Sequence, residues 1–440
     1  MKYDKFFALA KEAGIEEAEL YIAQKYEISV SLFHGEVDNN SVANGFTIIA
    51  RGKYNGKFGT AACDVWNADK AAFLVNEIVA NAKVIENEDP IFIFKGSEKY
   101  TKINNFNKGL SLIPLDEKLK KLHELEDALR AYDKRIVEVQ AVEYSENANS
   151  ITLINTHGLK LVHKSNYYTY VGVVAAKEGD QVKSAYDLLF DNDFTRADVK
   201  KLAAEIGKKA IDQLGGEACE SNTYRAVLSS DVVSSLMRFY AGHASSEEVQ
   251  KRSSLFIDKV GQKVASSKIT IEEKPLARNP FARWFDDEGV ATKNKFIVKN
   301  GVLQGYLYNL TTAHKDGVES TGNGYLGGGK IDVDLGFLVM KPGKKSLDDL
   351  FKEIGDGVYI TEVSGLHAGM NFQSGNFSLQ STGFLVKDGK LARGLDLITV
   401  SGNIVDLFKD IVAVGSDVRV FPSAVSCPSV QVKKIIVAGK

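Results

Sequence analysis

The chain has 440 residues, 44% of them hydrophobic, with 55 basic against 57 acidic side chains. That length suggests two or three domains, each able to bury a core without staples. The even balance of charge, with no basic stripe, speaks against a dedicated nucleic-acid binder, and Cys63, Cys219 and Cys427 make neither a CxxC pair nor a disulfide framework.

At the N-terminus the apolar run Phe6-Phe7-Ala8-Leu9-Ala10 is too short for a signal peptide. No run of about 20 apolar residues follows anywhere, so no membrane span is expected and the cytoplasm is the expected location. A short helix is expected over residues 3–13, then strands over 18–65. Asn67 or Asp69 suits the cap of a helix at Ala68–Val84. The Gly/Asn/Lys-rich stretch 95–112 reads as a linker. After Pro114 the spacing of Leu119, Leu122, Leu125 and Leu129 predicts a helix over 115–132. Strands over 136–189 and a helix over 196–214 complete this half.

The pattern is used twice. Ser31-Leu32-Phe33-His34-Gly35 returns loosely as Leu153-Ile154-Asn155-Thr156-His157-Gly158. The hairpin 45–51/58–64, turned at Asn55-Gly56, has a counterpart in 170–176/182–187, turned at Glu178-Gly179-Asp180. A structural repeat is therefore expected.

Past Gly215-Gly216 the texture changes. A strand over 224–228 leads into a helix starting near Ser230-Asp231. Beyond residue 268 strands dominate, with turn signals at Asn300-Gly301, Asp388-Gly389 and Ser401-Gly402-Asn403, and one clear helix over 346–354. The fold class is α+β: two similar helix/antiparallel-strand units, at 1–110 and 111–216, then a large, mostly antiparallel β domain, barrel- or sandwich-like, at 217–440.

Glycine gathers at Thr321-Gly322-Asn323-Gly324, Gly327-Gly328-Gly329, 364–371 and 374–378 without a phosphate-loop lysine. Such loops suit an extended peptide bonded through its main chain, or simple barrel corners. On this reading Asn323, Gly324, His367, Gly369 and Asn371 are the candidate peptide contacts. Asp286-Asp287-Glu288-Gly289 lacks a histidine neighbour and reads as a solvated turn rather than a metal or acid site. A zinc peptidase needs three protein ligands, an open position for water, and a carboxylate base. No helix here carries the two histidines and glutamate that usually supply them. His243 stands alone on its helix.

At these residues the chain resembles the TldD/PmbA family, long named for modulation of DNA gyrase and now understood as metallopeptidases. The resemblance covers nearly the whole chain. It rests on Lys251–Phe256, Phe285–Val290, Val298–Leu307, Ser320-Thr321-Gly322, Ser364–Gly369, Ser374–Gln380 and the C-terminal stretch 430–439. One branch carries an HExxxH zinc motif completed by a later cysteine; the PmbA (TldE) branch lacks it, and Ser364-Gly365-Leu366-His367-Ala368-Gly369 looks like that branch. The register sets Arg238 at the first histidine, Phe239 at the glutamate and His243 at the second histidine. The setting of Cys427 does not match that of the family's metal cysteine.

The resemblance implies a non-catalytic TldE/PmbA-type subunit. It would bind no cofactor itself and would pair with a zinc-bearing TldD-type subunit in a heterodimer that degrades unfolded peptides. Two alternatives stay open. One is a self-sufficient metallopeptidase, as a homodimer, using His243 with His314 or His367. The other is a non-enzymic protein acting on gyrase or another partner.

Overall fold

The computed structural model describes residues 3–86, 89–327 and 329–440. In chain order the first unit holds α1 (Asp4–Glu12), β1 (Glu17–Phe33), β2 (Glu36–Tyr54), β3 (Lys57–Cys63) and α2 (Ala68–Val84). The second holds α3 (Leu115–Ala131), β4 (Ile136–Asn155), β5 (Lys160–Glu178), β6 (Gln181–Asp191) and α4 (Val199–Asp212). The third region runs β7 (Asn222–Leu228), α5 (Ser230–Gly242), α6 (Ser246–Gln250), β8 (Ile271–Glu273), β9 (Lys295–Lys299), β10 (Val302–Leu303), α7 (Leu310–Asp316), β11 (Gly324–Gly327) and β12 (Lys330–Val333). It continues with β13 (Leu338–Met340), α8 (Leu347–Ile354), β14 (Gly357–Ser364), α9 (Leu366–Gly369), β15 (Asn376–Lys387), β16 (Lys390–Asn403), α10 (Ile404–Lys409), β17 (Ile411–Val414), β18 (Arg419–Phe421), β19 (Val425–Cys427) and β20 (Val430–Ala438).

The expected repeat is present, and its two copies share one sheet. The strand order is β3-β2-β1-β4-β5-β6, a palindrome of the two units. β1 and β4 pair antiparallel from Glu19↔Asn155 to Leu32↔Val142. An approximate two-fold axis normal to the sheet therefore passes near Tyr26↔Ala148. Alternation along β1 sends Ala18, Leu20, Ile22, Val30 and Leu32 to one face. There the first three meet α1 and α2, and the last two meet the α3/α4 core. The opposite face presents Tyr21, Ile151, Leu153 and Leu161, which pack on Trp284 and Phe285 of the third region. The sheet is thus clamped between its own helices and the C-terminal domain.

That domain is built on a closed five-stranded barrel, β16-β15-β14-β7-β20, shut by Thr399↔Ala438 and Val400↔Val437, with β17 added on β20. A second sheet, β10-β9-β8-β13-β19-β18, packs beside it. α5 supplies Val232, Val233, Leu236, Met237 and Tyr240 to the shared core. Among the described residues no helix is long and apolar enough to cross a membrane.

The Asn67 cap read from sequence is made, its side chain accepting from the Lys70 amide, and the structure adds a reciprocal Ser346–Asp349 capping box on α8. Three expectations need correction. The barrel domain holds further short helices, α6, α7, α9 and α10, too short for a clear apolar period. Ser401-Gly402-Asn403 is not a turn: it ends β16, and Asn403 caps α10. The stretch 95–112 is no loose linker. Asn105 donates to the carbonyls of Asn279 and Ala282, Tyr100 to that of Gly289, and Asn107 exchanges bonds with Asn166.

Glycine fixes how closely α2 lies on β3. A Cβ on Gly59 would sit 2.0 Å from the Ile78 carbonyl oxygen and 2.9 Å from the Ala82 nitrogen, both backbone atoms of that helix. We expect Gly59→Ala to lift α2 off the sheet and cost roughly 1–3 kcal/mol. Hydrogen exchange over α2 and β3 should show faster opening; unchanged protection there would refute this account of the packing.

Candidate functional site

α5 is capped by Ser229, whose hydroxyl accepts from the Val232 amide, and begins at Ser230 as expected. Its apolar face enters the core, where Tyr240 stacks on Phe408 at 3.9 Å and donates to the Val264 carbonyl. Its other stripe, Ser235, Arg238, Phe239 and Gly242, follows helical spacing. That stripe lines a cavity of about 670 Å³ with Ser245, Leu307, Val333, Leu335 and Phe372. The three positions matched to the zinc motif are therefore brought together, two on the cavity wall and His243 just behind it.

None of the three fits a metal. Arg238 is a permanent cation, and its guanidinium reaches Asp334 at 3.0 Å and the carbonyls of Leu335 and Ser423. Phe239 offers only an aromatic ring, 5.3 Å from that of Phe372. His243 is the C-cap of α5 rather than a residue within it. It is fully buried, stacked on Phe372 at 4.0 Å and 26°, and its Nδ1 accepts from the Leu255 amide. Nε2 then carries the proton and has no partner. Burial holds the imidazole neutral, with its pKa lowered to about 4. Cys427 donates to the Ser230 carbonyl, at the opposite end of α5. A helix of this length separates it from His243 by about 20 Å, and burial raises its thiol pKa. His314 lies against Phe92 in a tilted contact, and His367 is exposed on α9. Among the described residues no three His, Cys, Asp or Glu side chains are grouped to hold a metal.

The acidic run 286–288 overturns the solvated-turn reading: all three carboxylates are buried. Each is met by groups far away in sequence. Asp286 accepts from the amides of Glu288, Val290 and Gly324. Asp287 accepts from Arg283 at 2.7 Å and from the Leu326 amide, and Tyr21 of β1 approaches the same pair. Glu288 accepts from Leu310, the first amide of α7, and faces the Arg51–Glu19 ion pair on β2 and β1. The i, i+4 spacing of Arg283 and Asp287 was the one local signal of this arrangement.

This loop also accounts for two of the candidate peptide contacts, which turn inward. Asn323 is fully buried, with its amide donating to Glu273 and the Asp334 carbonyl and its oxygen accepting from Thr321. Gly324 lies under Glu288, where a Cβ would fall 2.4 Å from Oε2. Neither offers a peptide a free donor or acceptor. Gly369 is held by backbone contact, since a Cβ there would meet the Ser378 carbonyl at 2.3 Å. Asn371 caps the turn before Gly375 by accepting from Ser374. Between Asn371 and that turn, Phe372 and Gln373 reach the α5 cavity. They were missed because a Phe in a glycine-rich loop carries no periodic signal. Gly328 lies outside the described residues. A second cavity, about 510 Å³, opens at the seam beside Glu19, Arg51 and Glu288.

Comparison with known proteins agrees with this architecture. Residues 108–214 match the PmbA/TldA metallopeptidase central domain and residues 221–439 its C-terminal domain. A Buchnera aphidicola protein named a metalloprotease PmbA homolog is 30% identical over 315 residues, 70% of this chain and 67% of that one. A Thermotoga maritima crystal structure, named as a modulator of a DNA gyrase, superposes with a TM-score of 0.90 at 32% identity, covering 99% of both chains. TldE from Thermococcus kodakarensis has the same fold, with a TM-score of 0.91 at 22% identity over the full length of both. Fold and family models define a metallopeptidase-related α+β protein. The chain belongs to the PmbA/TldD family.

The buried groups set opposite pH dependences. Burial raises the neighbouring Asp286 and Glu288 to about 7 and about 8. Their contribution to stability is complete below the unfolded carboxyl range near pH 4 and is lost as pH rises through 7–8. His243 and His163, both lowered to about 4 by burial, contribute above about pH 6.5 and lose that contribution as pH falls toward 4. Between about pH 6.5 and 8 only the carboxyls change, so the melting temperature should fall as pH rises across that window. Glu288→Gln should flatten the fall. A melting temperature that stays level in the unmodified chain would contradict it.

Proposed function

We propose that this chain is the non-catalytic, TldE/PmbA-type subunit of a two-chain peptidase. It pairs with a zinc-bearing TldD-type chain and helps enclose unfolded peptides. One observation carries the reading: an Arg238–Asp334 ion pair, an aromatic ring at 239 and a neutral, buried His243 occupy the motif positions. A cation in place of a ligand repels a dication, and Phe239 cannot take a proton from water. Losing a general base alone typically costs about 10²–10⁴-fold, and losing the metal removes the nucleophile as well.

The relatives named metalloprotease and the TldE fold support the family setting. The open cavity beside α5 supports contact with peptide. His367, exposed on α9, and the 369–373 turn form the peptide-facing rim, while Asn323 and Gly324 support it from behind. Zinc belongs to the partner, and the complex works in the cytoplasm. The self-sufficient alternative would have to find its ligands elsewhere, since neither Arg238 nor Phe239 can supply one.

Co-purification with a TldD-type chain bearing an intact HExxxH motif tests the proposal. Neither chain alone should cleave unstructured peptides, and the mixture should. This chain alone should carry less than roughly 0.1 zinc per molecule, since a zinc enzyme holds its metal near stoichiometry. Cleavage by a metal-replete preparation of this chain alone, abolished by a chelator, would refute it.

A further inference from the structure

We infer that the cavity beside α5 is a subsite for one aromatic side chain of a bound peptide, and that it favours a ring carrying a hydroxyl. This deepens the peptide-binding reading above and rests on it.

The walls are largely apolar. Phe239 and Phe372 meet edge to face, with ring centroids 5.3 Å apart, and Leu307, Val333 and Leu335 complete the sides. Aromatic rings prefer tilted or offset contact with other rings, and this pair offers both an edge and a face. Behind Phe372 lies the His243 ring, neutral and stacked parallel to it, so the wall is backed by another aromatic layer.

The polar lining groups are nearly all spent. Ser235 donates to the Asp231 carbonyl and Ser253 to Glu248. The Arg238 cation is matched by Asp334 and two carbonyls. Gln373 is exposed, so water can meet its amide. Ser245 is the buried exception. It is 7% exposed, it lines the cavity, and its Oγ has no partner. Its backbone is held by Gly242, and that of Ser246 by Leu307, so a turn about χ1 alone carries the hydroxyl toward a ligand in the cavity. A buried hydroxyl without a partner is costly, and a ligand that supplies one recovers the loss. Glu248 on the same wall leaves net negative charge, which disfavours an acidic side chain.

A phenol fits these terms: the ring lies against the Phe239–Phe372 pair, and its O–H pairs with Ser245. Phenylalanine fills the same space but leaves Ser245 unpaired. Leucine fills it without the ring contacts.

The test uses the full chain and a set of labelled, otherwise identical unstructured pentapeptides with Tyr, Phe, Leu, Ala or Asp at the centre. Affinity is read by fluorescence anisotropy. Tyr and Phe peptides should bind roughly tenfold tighter than Ala, with Asp weakest and Tyr a further several-fold above Phe. Ser245→Ala should bring Tyr down to the level of Phe. Phe372→Ala should weaken both together, and circular dichroism melting checks that each variant is folded. Equal affinity for the Tyr, Phe and Ala peptides overturns the subsite. So does a Tyr preference that survives Ser245→Ala, or no binding of any peptide. The two-chain reading is judged separately, by cleavage in the mixed preparation, so either can fail while the other stands.

Discussion

Taking a carboxyl group out of water costs several kcal/mol unless charges or donors replace the solvent or the group holds its proton, and this chain buries three in a row. The partners of Asp286, Asp287 and Glu288 come from the β11 backbone, from Arg283, from the first turn of α7 and from β1 and β2. Much local sequence follows from that demand. Gly324 has no side chain because Glu288 occupies the space. Asn309 caps α7 so that its first amide points at the Glu288 carboxylate. Arg51 and Glu19, on paired strands at Glu19↔Arg51, complete the charge balance from the N-terminal side. The loop anchors β11 and β12, and that hairpin supplies walls to both cavities. A carboxylate cluster remote from the motif helix therefore sets the shape of the space beside it.

The repeated sheet provides the frame that this cluster grips. The two units place their helices on one face, while the C-terminal domain covers the other face over the β1, β4 and β5 segments around Tyr21, Leu153 and Leu161. The duplication is thus symmetric in its helices and asymmetric in what covers the opposite face. Gly52 and Gly172 show the symmetric part at close range. A Cβ at either would crowd the helices of its own unit, Ile78 in one case, Ile206 and Leu129 in the other.

Elements with local causes were legible in the sequence: α2 with its Asn67 cap, α3 with its leucine stripe, the Asn55-Gly56 hairpin and the repeat itself. The barrel was legible only as a run of strands, because its closure depends on β16 meeting β20 across the last forty residues. The acidic loop was misread for a similar reason. Three adjacent carboxylates look solvated until Arg51, some 235 positions earlier, is known to face them. On α5 the resemblance singled out Arg238, Phe239 and His243. Residue identity alone did not show that Phe372 would arrive from a distant loop to stack on His243.

On the two-chain reading proposed above, replacement of the motif is more than a deletion. If Arg238 and Phe239 had only lost a metal, the simplest outcome for packing would be collapse, since a helix with an apolar face gains by burying it. Instead the stripe 235/238/239/242 still borders open space, and Arg238 is tied back by Asp334 and two carbonyls. Phe372 covers the imidazole but leaves the cavity unfilled. The space is lined on one side by aromatic carbon and on the other by an unpaired hydroxyl. Holding such a surface open gives no advantage to the isolated chain. It becomes useful when something of complementary shape enters, which is why the two-chain reading assigns this helix to substrate contact rather than to a vestige of catalysis.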